Sequence, residues 1–200
     1  MTILPIDEIN ALGEKIKPHF DEDGKIKSRK DAEDIIEEML KLFILSYSRG
    51  ANATNAELGT KKMPPTDDMD MAIYMMIAGE MWDERVMNYY ENGGTLYDIQ
   101  RIAETDATRI YNQGALDAVK VNGSGAGVNK RWVTMNDDRV RDTHSYLEGL
   151  VVPYDARFYT WDGDSADAPG MFSMAENNIN CRCVVEVIRG SHRLLSTVKS

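Results

Sequence analysis

A run of six residues, Asn122-Gly-Ser-Gly-Ala-Gly127, divides this sequence into two textures. Before it, apolar residues recur every three or four positions over long stretches, the period of a helix with one buried face. After it, short alternating or wholly apolar runs are separated by Gly, Pro, Asn and Asp clusters, the signature of strands and turns. That partition predicts an α+β protein. A helical region covers residues 1–121, a small α+β core with a mostly antiparallel sheet covers 128–190 and packs with helix 96–120, and a tail covers 191–200. The glycine run itself lacks the Gly-Lys-Ser/Thr ending of a phosphate-binding loop. It also precedes a strand-like segment where such a loop needs a helix, so it reads as a connector.

The helical half punctuates itself. A short helix is expected near Ile6 to Ile16, followed by a loop. Ser28 or Asp31 can cap a helix to about Tyr47, on which Ile35, Ile36, Met39, Leu40, Leu42, Phe43 and Leu45 share the helical spacing. Residues 49–66, small and polar with a Pro-Pro pair, read as a loop and as the hinge of this half. Thr66, Asp67 and Asp68 then open a helix to about residue 91, where Asn92-Gly93-Gly94 supplies a left-handed stop. Its methionines at 69, 71, 75, 76, 81 and 87 suit either an adaptable recognition face or plain helix core, and core is the expectation. Thr95 and Asp98 form a capping-box-like start for a helix over 96–120, with Ile99, Ile102, Ala103, Ala107, Ile110, Ala115 and Ala118 as its buried stripe.

Charge limits the function classes. The 200 residues carry a formal charge of −10. A surface that coats nucleic acid draws its affinity from Lys and Arg displacing counterions, so non-specific coating by the whole surface is excluded while a local basic patch is not. The apolar run Leu40 to Leu45 contains Lys41 and is far short of the ~20 residues that cross a bilayer. The N-terminus carries acidic residues early and lacks a basic-then-apolar leader pattern, which makes the cytoplasm the expected compartment.

Two of three Trp, both Cys and one of three His fall within 131–184. A strand over 130–135 holding Trp132 and Val133 leads to a turn at Asn136-Asp137-Asp138. A helix over 139–147 follows, with Val140, His144 and Leu147 on one face, and Gly149 stops it. Strands are expected at 150–152 and 158–161, a long acidic loop at 162–170, and a central closing strand at 183–188. Cys181 and Cys183 sit two apart in an extended segment, which disfavours a disulfide between them. Three chemistries compete for these residues. His144, Cys181 and Cys183 supply three zinc-type ligands, with His192 or a carboxylate as the fourth, but their spacing is not that of a zinc finger. A Cys–His nucleophile pair with Asp138 or Asp142 as orienter lacks an oxyanion motif. The favoured reading is structural, with no catalytic residue, metal or cofactor: His144 hydrogen-bonds the backbone of 180–183 and pins helix to strand, while Arg139, Arg141 and Arg182 pair with the acidic loop.

Taken in order, residues 101–120, then Trp132, Thr134, Asp138, Arg139, Val140, Arg141, His144, Leu147 and Gly149, then Pro169-Gly170, and finally Asn180, Cys181, Arg182 and Cys183, resemble the Mu F-like phage head morphogenesis, or minor head protein, family. The likeness covers about residues 99–188. It departs at Ala103-Glu104-Thr105-Asp106, where Glu104 replaces an Arg of the family pattern. The Cys pair or His-Pro that some relatives carry before Cys-Arg-Cys is also missing. The resemblance implies a virion protein of few copies in the capsid interior near the portal, present in host cytoplasm during assembly. It implies action in head assembly and DNA packaging, ejection with the genome as a further option, and contact with the portal or other head proteins through the N-terminal helices. DNA contact and self-association stay open. An enzyme or effector built on the His/Cys/Asp cluster is the alternative.

Overall fold

A computed structural model describes residues 6–77, 79–123 and 127–190. Among the described residues the first half holds five α-helices, α1 (Ile6–Ile16), α2 (Arg29–Leu58), α3 (Thr66–Ile73), α4 (Trp82–Asn92) and α5 (Leu96–Val121), with a 3-10 turn over Lys17–His19. Ser28 caps α2 by accepting from the Asp31 N–H at 3.2 Å. Thr95 and Asp98 close the expected capping box, with Thr95 N–H donating to the Asp98 carboxylate at 2.9 Å. Gly93 ends α4 at φ 79°. The stripe expected on α5 is buried at every one of its seven positions. Ile99, Ile102, Ala103, Ala107 and Ile110 of the stripe share a core with Ile35, Met39 and Phe43 of α2 and with Trp82 of α4, which meets Phe43 edge-on at 5.0 Å between ring centroids.

Two expectations about the helices fail, and each failure has a physical cause. The segment 49–66 is not a loop and hinge, because α2 continues as helix to Leu58 before Gly59 takes a left-handed stop. Its small residues are what two long helices need in order to cross closely. A Cβ on Gly50 would lie 1.9 Å from the Tyr111 carbonyl oxygen, and one on Gly114 would lie 2.1 Å from that of Tyr47. Thr54 donates to the Ala115 carbonyl at 3.1 Å and Tyr47 to Asp117 at 3.0 Å across the same crossing. Packing here overrides the low helix propensity of Gly, Asn and Thr. The expected helix 66–91 is broken into α3 and α4 around a turn in which Ile77 and Glu80 pair. The break allows Ile73, Ile77 and Trp82 all to be buried. The buried Arg109 guanidinium donates to the Ala72 carbonyl at 2.9 Å near the C-terminal end of α3.

The second half contains β1 (Val128–Val133), α6 (Asp142–Ser145), β2 (Val151–Pro153), β3 (Phe158–Tyr159), β4 (Ser165–Ala166), α7 (Ala175–Asn178) and β5 (Val184–Arg189). An antiparallel three-stranded sheet runs in the order β2-β1-β5, and β3 pairs with β4 in a separate small ribbon. The closing strand is therefore an edge strand and not the central one. Val184, Val185 and Val187 are buried, and β5 packs against α2 and α5 as well as pairing with β1, so helix cover accounts for its apolar run. The expected helix over 139–147 shrinks to the four residues of α6, because 136–141 is an irregular turn with Asn136 at φ 52°. Part of the expected acidic loop forms β4. The short helix α7 was not foreseen, since four residues carry no measurable period.

The methionines divide. Met69 and Met87 pack against the core, whereas Met71 and Met76 are 73% and 57% exposed. Plain core is thus not their common role.

Candidate functional site

Trp132 on β1 is the floor of the site. It is fully buried, with His144 and Phe158 edge-on to its ring at 5.1 and 5.2 Å. Phe172 stacks on the imidazole at 5.4 Å. Backbone bonds between Trp132 and the 149–150 turn, where Gly149 sits at φ 73°, fix the chain that brings α6 across β1. Cys181 and Cys183 precede β5 with their side chains on one face, and both reach the imidazole. Their sulfurs lie 3.6 and 3.7 Å from His144 Nδ1.

His144, Cys181 and Cys183 thus lie together, but not through the expected contact. His144 faces the two thiols and not the backbone of 180–183, because alternate residues of an extended segment present both sulfurs to the same side. Its Nε2 is buried without a hydrogen-bond partner. Among the described residues no carboxylate bonds to either ring nitrogen, and Asp138 and Asp142 both lie exposed, so the expected orienter of a nucleophile pair is missing. His192 falls outside the described residues. The Cys183 thiol, with the imidazole behind it, favours a thiolate at Cys181 against the cost of burying it. Cys181 consequently lies well below the ordinary thiol range, and Cys183, beside that thiolate and itself buried, lies well above it.

The three arginines also go elsewhere than the acidic loop. Arg182 makes a two-pronged pair with Asp137 at 2.7 and 2.8 Å, which holds that carboxyl below its ordinary range. Arg139 reaches Glu104 at 3.3 Å, and Arg141 donates to the Ile179 carbonyl at 2.5 Å. Glu104, the residue that departs from the family pattern, thus sits between Arg139 and Arg182. The acidic loop satisfies itself. Burial alone would raise Asp164, but the N–H groups of Met174, Ser165 and Ser173 and the Ser173 hydroxyl outweigh it and hold Asp164 at about 2.

The remaining motif residues shape the backbone. Thr134 accepts from the Asn136 N–H at 3.3 Å. The Pro169 carbonyl accepts from Asn112 at 2.9 Å, and a Cβ on Gly170, at φ 80°, would meet Arg109 at 3.1 Å. Asn180, at φ 60°, donates its N–H to the Thr105 hydroxyl at 3.0 Å. Sequence reasoning missed the anchors on α5. Asn112 donates to the carbonyls of Pro169 and Cys183 and accepts from the Val185 N–H at 2.8 Å, while Asp106 pairs with Arg85 and Arg109. The available signal was three polar residues, Asp106, Arg109 and Asn112, spaced by three along one face of an otherwise apolar helix.

A helical bundle joined to a small antiparallel sheet, with the rare residues gathered where α6 and the start of β5 meet β1, is the architecture the comparisons have to match. Residues 68–186 match the family described as Phage Mu protein F like protein, and the chain belongs to it. A stretch of 89 residues is 30% identical to the minor head protein GP7 of Bacillus phage SPP1, covering 44% of this chain and 29% of that protein. Another of 95 residues is 37% identical to a protein named NAD(+)--arginine ADP-ribosyltransferase EFV from Enterococcus faecalis (strain ATCC 700802 / V583), covering 45% of this chain and 19% of that protein. The match thus spans less than a third of each relative. No solved structure matches the chain significantly. Among the described residues no helix is long and apolar enough to cross a membrane.

Proposed function

We propose that this protein is a structural component of a phage head that works by contact with other head proteins, the portal first among them. Membership of the Mu F-like family over residues 68–186, more than half the chain, carries the reading. The likeness to the SPP1 minor head protein supports it. Physical features agree. The rare residues are spent on internal bracing, the candidate orienters Asp138 and Asp142 make no hydrogen bond to the imidazole, and the exposed side chains of Met71, Tyr74 and Met76 lie together in sequence on and just after α3. Flexible and aromatic side chains of this kind suit a partner surface. A match to an enzyme-named protein over 19% of its length is consistent with a module that such a protein carries beside other parts.

Full-length protein should co-purify with the cognate portal when the two are co-expressed, and a Met71→Glu/Met76→Glu variant should lose at least tenfold of that capture while keeping the wild-type circular dichroism. Binding to none of portal, major capsid protein and scaffold would refute the proposal.

A further inference from the structure

Both sulfurs converge on one atom of His144. Nδ1 carries either one lone pair or one hydrogen, so it can share one proton with one sulfur and not with two. Yet Cys181 and Cys183 stand at nearly equal distances from it, 3.6 and 3.7 Å. The three donor atoms lie within 4.8 Å of one another, and all three residues are buried. A single ion at the common centre would satisfy every one of these contacts together. For zinc, bond lengths of about 2.3 Å to sulfur and 2.0–2.1 Å to nitrogen at tetrahedral angles place N and S about 3.5–3.6 Å apart. That spacing is the one the site already has.

We propose that His144, Cys181 and Cys183 bind one zinc ion. Thiolate and imidazole donors select zinc over the hard oxygen-seeking cations. Ligation through Nδ1 leaves the hydrogen on Nε2, which is buried without a partner on a ring packed against Trp132 and Phe172. Beside the three donors is a void of about 10 Å³, which Arg139, Arg141 and Asn180 also line. A space of that size admits about one water molecule, and a water or hydroxide there completes four-coordination. The two thiolates balance the charge of the ion, so the site can stay buried. Its effect is to tie α6 to the start of β5 across β1, a brace for the family motif and not a reacting centre.

Elemental analysis of the purified full-length chain should find about one zinc per chain, removable by a strong chelator and restored by zinc alone. Removal should lower Tm by about 10 °C, because an ion that binds only the folded state stabilises it in proportion to the logarithm of its saturation. Cobalt(II) should give a tetrahedral visible spectrum with thiolate-to-metal charge transfer of two-thiolate intensity. The Cys181→Ser and Cys183→Ser variants should each weaken cobalt binding at least tenfold. Wild-type protein that takes up less than about 0.1 equivalent of zinc on reconstitution, with no cobalt charge transfer and no change in Tm, would overturn the proposal whether or not the variants fold. So would full zinc retention in a folded Cys181→Ser/Cys183→Ser chain.

Discussion

Gly114→Ala sets two physical effects against each other on one residue. Gly114 lies inside α5, where alanine is favoured over glycine by about 1 kcal/mol from backbone entropy alone. At an isolated helix position the substitution would therefore stabilise. Here the new Cβ starts 2.1 Å from the Tyr47 carbonyl oxygen of α2, a rigid backbone atom, and must move out to at least 3.0 Å. The helices have to part, which strains a close-packed crossing at about 1–3 kcal/mol. It also stretches the bonds from Thr54 to Ala115 and from Tyr47 to Asp117, each worth about 1 kcal/mol or more when its buried partner is left unmatched. The sum favours destabilisation by about 2–4 kcal/mol, or a Tm lower by roughly 5–15 °C for a chain of this size. Urea unfolding followed by far-ultraviolet circular dichroism measures it. Gly13→Ala on α1 is the matched control, since its Cβ would meet the movable amide end of the Gln100 side chain. That variant should be neutral or more stable by up to about 1 kcal/mol. A Gly114→Ala protein as stable as wild type would show that close approach does not hold α2 against α5.

Asn112→Ala should cost about 3 kcal/mol or more in the same assay, because it leaves the Cys183 and Pro169 carbonyls and the Val185 N–H buried without their partner; a loss under 1 kcal/mol would refute that role. Asp164 titrates at about 2 when folded against an ordinary 3.8. The unfolded chain therefore binds this proton more readily, and the stability Asp164 contributes is complete above about pH 4 and lost as pH falls toward 2. Asp164→Asn should flatten that part of the stability curve, and an unchanged slope would count against it. Thr105→Val should destabilise by about 1–2 kcal/mol through the orphaned Asn180 N–H, with an intact helix content.

Local features were legible where the chain's own chemistry decides the outcome. The caps at Ser28 and Thr95, the stop at Gly93 and the apolar stripe of α5 each depend on residues within a few positions of one another, and all appear as expected. The ordered motif residues likewise announced that His144, Cys181 and Cys183 belong together. Errors arose where a distant segment supplied the missing energy. Gly50 and Thr54 look like loop residues until α5 is laid across them. Val184, Val185 and Val187 look like a central strand until α2 and α5 are seen to cover an edge. The arginines could be expected to find carboxylates, but not which ones: Asp164 is already saturated by neighbouring N–H groups, while Asp137 and Glu104 are brought up by the turn after β1 and by α5.

By itself the sequence determined the α+β class, the helix signals at residues 28 and 95, and the set of rare side chains that had to meet. Only the tertiary structure decided that the imidazole turns to two sulfurs instead of the backbone, and that α2 runs on through its glycine. Both outcomes depend on atoms many residues apart in the chain, and spacing along a sequence carries no distance across a crossing.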